Sequence, residues 1–125
     1  MKKTTVQIKV KRVNQITFIP IDGYQITPHL AVHKSPTKEY IETLVPATVQ
    51  TGPWRVTHTP TGMFMFECPT RKAAVEVVGR IKDLFDWGGF VQTPYSLEFH
   101  QVCYQAHLEG LILSHIPNPE HYKVV

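Results

Sequence analysis

Residues 4–13, TTVQIKVKRV, alternate: Val6, Ile8 and Val10 fall on one side, Gln7, Lys9 and Lys11 on the other. Successive side chains of a strand point to opposite faces, so the segment reads as a half-buried strand with a basic outer face. Asn14-Gln15 is a turn candidate. Residues 16–21, ITFIPI, form a second strand, placed at an edge or bulged because Pro20 cannot donate to a ladder. Asp22-Gly23 suits the positive backbone angles of a two-residue hairpin. Residues 24–33 then return as a third strand, interrupted by Pro28. The expectation is a three-stranded antiparallel meander.

Residues 34–53 carry mixed signals. Ser35 as N-cap with Pro36 behind it would open a short helix. YIETLVPATVQ is rich in β-branched residues and cut by Pro46 and Gly52-Pro53, so the segment reads as a loop with a short extended piece. Residues 54–59, WRVTHT, alternate again. Pro60-Thr61-Gly62 turns the chain and residues 63–67 go back, giving a hairpin. CPTRKAAVEVVGRIKDLFDW is the clearest helix. Thr70 fits its N-cap, Gly88-Gly89 stops it, and Ala74, Val77, Val78, Ile81, Leu84 and Phe85 share one face. A second helix starts at Thr93-Pro94, with Tyr95, Phe99, Val102, Cys103 and Ala106 as its stripe and Gly110 at its end. LILSHI reads as a last strand, and 116–125 as a docking tail. The fold class is α+β: one domain over 1–125, an antiparallel sheet of about five strands (the meander plus the hairpin) packed against two helices.

Composition narrows the class. Of 125 residues, 42% are hydrophobic and 18% charged, which suits a globular chain rather than a disordered one. No apolar window is long enough for a membrane helix. The N-terminal alternation reads as a strand and not as a signal peptide, so the expected location is the cytoplasm, with Cys68 and Cys103 as free thiols. Net charge is +3, unevenly spread. Residues 1–20 hold Lys2, Lys3, Lys9, Lys11 and Arg12 and no acid, giving +5; the rest hold 8 basic and 10 acidic residues, giving −2. A basic end attracts phosphates or acidic partners. Lysines on an edge strand also guard against sheet-to-sheet pairing.

The chemistry-bearing residues point to binding more than to catalysis. His58, amid Thr57, Thr59 and Thr61, is the histidine best placed by a rigid hairpin, but it shares a face with Trp54 and Val56, which favours burial. Cys103 and His107, four apart on a helix, could share a metal; His100 and His107, about 10 Å apart along it, could not both join them. No C-x-x-C or H-E-x-x-H motif completes a metal site, and no phosphate loop is present. Cys68 precedes the main helix, where a thiolate would be favoured, yet a small apolar residue serves equally there. No catalytic residue, metal ligand or cofactor is therefore assigned.

Single-stranded nucleic acid is the preferred partner. Such binders combine a positive groove with stacking platforms, and Lys9, Lys11, Arg12, Lys34 and Arg55 lie on the strands and loops of the expected sheet near Phe18, Tyr24 and Trp54. Trp87, Phe90 and Tyr95, around a Gly-rich segment, are the candidate anchors for a protein partner. The alternatives are an accessory protein that binds a host protein as a homo-oligomer, and a metal- or thiol-dependent hydrolase.

WRVTHTPTG, followed by TRKAA and the closing DW, resembles a pattern in small uncharacterised phage and bacterial proteins: a W-x-V-T-H-x-P-T-G hairpin, then a T-x-K-x-A helix start. It covers residues 54–87, and this chain departs from it in having Arg71-Lys72 in place of one basic residue. The resemblance implies a phage or mobile-element accessory protein and carries no catalytic residues over. A meander followed by an amphipathic helix is also broadly similar, at the level of fold alone, to the Whirly-like single-stranded-DNA-binding fold.

Overall fold

A computed structural model describes residues 2–12, 14–45, 52–88 and 97–113. Five strands form one antiparallel sheet in chain order: β1 (Lys2–Arg12), β2 (Gln15–Thr27), β3 (Leu30–Lys34), β4 (Trp54–His58) and β5 (Met63–Cys68). Three helices accompany it: α1 (Lys38–Thr43), α2 (Arg71–Ile81) and α3 (Leu97–Leu108). The α+β class and the five-stranded sheet agree with the sequence reading.

The period-two pattern splits the sheet into two faces. On one, Val6, Ile8, Ile19, Ile21 and Ala31 bury against Tyr40 of α1. The Tyr40 hydroxyl donates to the Pro20 carbonyl and pins α1 to β2. On the other, Leu30, Val32, Val56, Phe66 and Cys68 pack under Ala74, Val77, Val78 and Ile81 of α2 and Phe99, Cys103 and Ala106 of α3. The Arg80 guanidinium grips both Glu109 oxygens, at 2.7 and 2.9 Å, and joins the ends of α2 and α3.

Two features give the sheet its curvature. Gly23 sits inside β2, where a Cβ would lie 2.5 Å from the Val32 carbonyl oxygen and 2.9 Å from the His33 Cβ. Only glycine lets β2 and β3 approach so closely there. At the β4–β5 turn, Gly62 has φ +73°. Its carbonyl accepts the Lys9 N–H at 2.7 Å, tying the hairpin tip to the free edge of β1. The sheet therefore curls until its first strand meets its last hairpin.

Several local expectations are corrected. Asp22-Gly23 is no hairpin turn: β2 runs straight through it to Thr27, and the chain reverses at Pro28-His29, where the Thr27 hydroxyl accepts the His29 and Leu30 N–H groups. The stretch after β3 is not extended but opens α1, with Thr37, rather than Ser35, as N-cap to the Tyr40 N–H. Leu44, in a left-handed conformation, ends this helix, and 46–51 lie outside the described residues. The main helix keeps its Thr70 cap but stops at Ile81, seven residues before Gly88, because the chain folds back to bury Trp87. The expected α3 start at Thr93 and the tail 116–125 lie outside the described residues. Leu111–Leu113 are irregular rather than a strand, though the Leu113 N–H donates to the Glu67 carbonyl at 2.7 Å.

Candidate nucleic-acid interface

The β1–β2 ladder is buried on one side and open on the other. Its outward pairs are Lys11↔Ile16, Lys9↔Phe18, Gln7↔Pro20, Thr5↔Asp22 and Lys3↔Tyr24. Three lysines, with Gln7 and Thr5 between Lys9 and Lys3, thus form one row, and four mostly apolar residues with Asp22 form the next. Phe18 is 53% exposed and Ile16 66%, and Lys3, Lys9 and Lys11 are exposed too. An aromatic ring open to solvent, across from Lys9 and diagonal to Lys11, is a stacking platform with cations beside it. Phe18 is steadied from the side by Gly62, where a Cβ would lie 2.7 Å from the Phe18 ring.

The same face continues to a second cluster beyond Tyr24. The Tyr24 and Trp54 rings stand 6.3 Å apart. The Arg71 guanidinium lies 4.9 Å from the Tyr24 centroid and 6.0 Å from that of Trp54, and the Lys34 ammonium 5.9 Å from Trp54. Two cations are held over aromatic faces at distances where the ring quadrupole attracts them. Arg71 and Lys72 occupy the first turn of α2, which carries no acidic residue. Cations oppose the helix dipole there, so their placement answers to something other than helix stability.

The five basic residues singled out from sequence divide by strand parity. Lys9, Lys11 and Lys34 share the outer face. Arg12 follows Val6, Ile8 and Val10 to the opposite face, where its Nη2–H donates to the Glu42 carbonyl at 3.1 Å. Arg55 pairs with Glu67 across β4–β5 at 3.4 Å and stacks over Phe64 at 3.9 Å. Burial pulls its pKa down against the pull of Glu67. Arg55 thus serves the sheet's second face and is not beside Lys9. Lys3 and Arg71 were not singled out from sequence; the alternation of β1 did hold the signal for Lys3, whereas Arg71 reaches Tyr24 only through the packing of α2.

Of the expected protein-binding anchors, Trp87 is a core residue, 3% exposed. Its indole N–H donates to the Ile81 carbonyl at 3.0 Å, closing the end of α2, and its ring meets Phe85 and Phe99. Phe90 and Tyr95 lie outside the described residues.

His33, His58 and His107, and both thiols, are spoken for. His58 is fully buried; its Nε2–H donates to the Trp87 carbonyl at 2.7 Å and its Nδ1 accepts from the Thr61 hydroxyl at 3.0 Å. That pattern fixes one neutral tautomer, and burial lowers its pKa. His33, missed in the sequence, is equally buried. Its Nδ1–H donates to the Lys34 carbonyl at 2.8 Å, and its Nε2 accepts from the Thr57 hydroxyl at 2.6 Å. Thr57 has no solvent access, so this hydroxyl–imidazole pair meets no substrate. Burial raises the Cys68 and Cys103 thiols to about 12, the reverse of a nucleophile's requirement. His107 donates to the Ile112 carbonyl at 3.0 Å, and no group of three or more potential metal ligands gathers among the described residues. Nor is any described helix long and apolar enough to cross a membrane.

Comparison with protein-family models, with curated proteins and with solved structures returns no match, so the outer face of β1–β2 stands on its own geometry.

Proposed function

We propose that this protein binds single-stranded nucleic acid across the outer face of β1 and β2. The observation that carries the reading is the register of Lys9 with Phe18 and of Lys11 with Ile16: exposed cations alternate with exposed apolar side chains on a sheet surface no described helix covers. Phosphates pair with the lysine row while a base stacks on Phe18. Lys3, Tyr24, Trp54, Lys34 and Arg71 extend the track. From Lys9 to Lys3 is six residues, about 20 Å along a strand, room for a few nucleotides. Stacking on Phe18 needs an unpaired base, which favours single strands over duplex.

The experiment is a salt titration of binding to a short fluorescent oligonucleotide. Five cations along the track (Lys3, Lys9, Lys11, Lys34 and Arg71), at about 0.7 per phosphate contact, give a slope of about −3.5 in log affinity against log salt. The double variant Lys9→Glu, Lys11→Glu should reduce that slope to about −2 and weaken binding steeply. Phe18→Ala should cost about 1–3 kcal/mol with the slope unchanged. No binding at low salt, or binding indifferent to all three substitutions, overturns the proposal.

A further inference from the structure

We infer that Asp22 is the specificity-determining residue of the outer face and that it selects guanine within a single strand. The inference rests on the nucleic-acid reading of that face. Asp22 is the one acid among the ten outward residues of the β1–β2 ladder, and it stands between the Lys9–Phe18 and Lys3–Tyr24 pairs. It is exposed, as are Thr5 opposite it and Gln7 and Lys3 on its diagonals. Its carboxylate makes no ion pair or hydrogen bond with any described residue, so both oxygens are open to a ligand.

A track that draws its affinity from phosphates is weakened by a negative charge set among its cations. Asp22 contributes to binding only where it accepts from base donors. A carboxylate offers two acceptor oxygens side by side, and it is best matched by a fork of two parallel N–H groups, as a guanidinium presents. Among the unpaired bases guanine alone has that fork, in the N1–H and N2–H of its Watson–Crick edge. Adenine and cytosine each set one amino group beside a ring nitrogen lone pair, and thymine sets one N–H between two carbonyls. Each of these would turn a lone pair toward the second Asp22 oxygen.

The ladder also supplies the donor that guanine O6 needs. The Lys9 N–H leaves β1 on its free edge to reach the Gly62 carbonyl. Lys9 and Phe18 are therefore a pair without ladder hydrogen bonds, and by the alternation of an antiparallel ladder so are Thr5 and Asp22. Side chains stand closest in such pairs, with Cα atoms about 4.5 Å apart. The Thr5 hydroxyl is thus beside the Asp22 carboxylate, and the Gln7 amide lies on its diagonal. Phe18 and Asp22 are four residues apart on one face of β2, about 13 Å. One base stacks on Phe18 while another, further along the same strand, is read by Asp22.

The experiment compares short thymidine oligonucleotides that carry one guanine, one inosine or one adenine, or none. Inosine keeps guanine's ring, O6 and N1–H and lacks only the 2-amino group, so it separates the fork from purine stacking. The parent protein should bind the guanine strand about tenfold more tightly than the inosine strand, within what a bidentate base contact discriminates. Asp22→Ala, at an exposed position, should erase that difference and tighten binding of the all-thymidine strand by removing the negative charge. Phe18→Ala should weaken the guanine and inosine strands by the same factor and keep their ratio. Equal binding of guanine and inosine strands by the parent, or a guanine preference that survives Asp22→Ala, overturns the role of Asp22 and leaves the nucleic-acid reading standing. No binding of any strand at low salt overturns both.

Discussion

Gly62→Ala should destabilise the protein by about 2–4 kcal/mol, and the reasons are separable. Gly62 has φ +73°, a left-handed conformation that costs an L-residue about 1–2 kcal/mol. An added Cβ would also lie 3.1 Å from both the Gln7 carbonyl oxygen and the Lys9 amide nitrogen. Those are backbone atoms of β1 and cannot swing aside as the Phe18 ring can. Relief requires the hairpin tip to back away, at the cost of the 2.7 Å bond between the Lys9 N–H and the Gly62 carbonyl. Overpacking of this kind costs about 1–3 kcal/mol, and a lost hydrogen bond about 1 kcal/mol. The terms overlap because one movement relieves all of them, so the total is less than their sum. Against a typical stability of about 5–15 kcal/mol, the loss is large. Gly79→Ala is the matched control. Gly79 is exposed on α2 with nothing within 4 Å of an added Cβ, and its backbone is helical, so alanine should stabilise by about 0.5–1 kcal/mol. Urea unfolding followed by circular dichroism measures both. The midpoints should move in opposite directions with unchanged m-values. A Gly62→Ala protein as stable as the parent would refute the contact between the hairpin tip and β1, and with it the curvature that positions Phe18.

Three further outcomes follow from the buried groups. Stability should fall as pH drops from about 6.5 toward 4: burial holds His33 at about 4 against its ordinary 6.5, so the unfolded chain takes up a proton that the folded one refuses. The penalty reaches about 3 kcal/mol below pH 4, lowered His58 adds to it, and a urea midpoint flat between pH 7 and 4.5 would contradict it. Neither Cys68 nor Cys103 should react with a thiol reagent near pH 8 in the folded state, while both react in denaturant; rapid labelling of the native protein would place a thiol at the surface. Trp87→Ala should cost about 3–5 kcal/mol, as removal of a buried aromatic does, and a melting temperature equal to that of the parent would put the ring outside the core.

The misread turn shows where local signals lose. Asp22-Gly23 spells a hairpin, yet Gly23 is there because β2 and β3 nearly touch, and that contact joins residues about ten apart. The same glycine serves a turn or a close approach, and only the partner strand decides which. The early stop of α2 has a similar cause. Leu84 and Phe85 continue the helical spacing, but the Trp87 indole gains more by folding back onto the Ile81 carbonyl and the aromatic cluster. In the sequence His33 is only the last residue of a segment interrupted at Pro28, with no local signal of its own. Its value lies in the Thr57 hydroxyl, 24 positions away.

What the sequence determined by itself is what depends on neighbours along the chain. The alternation of β1 fixed which residues face outward, Thr70 fixed the start of α2, and the 3.6-residue spacing fixed the buried stripes of α2 and α3. These follow from backbone geometry, which repeats over two to four residues. Tertiary structure decided what depends on residues far apart: the curl that brings Gly62 to Lys9, the burial of Trp87, the neutral tautomers of His33 and His58, and the sorting of five basic residues. Lys9 and Lys11 stand beside Phe18 because strand pairing sets them there, while Arg12, whose turn to the other face already follows from the alternation, meets the Glu42 carbonyl only because α1 packs against that face.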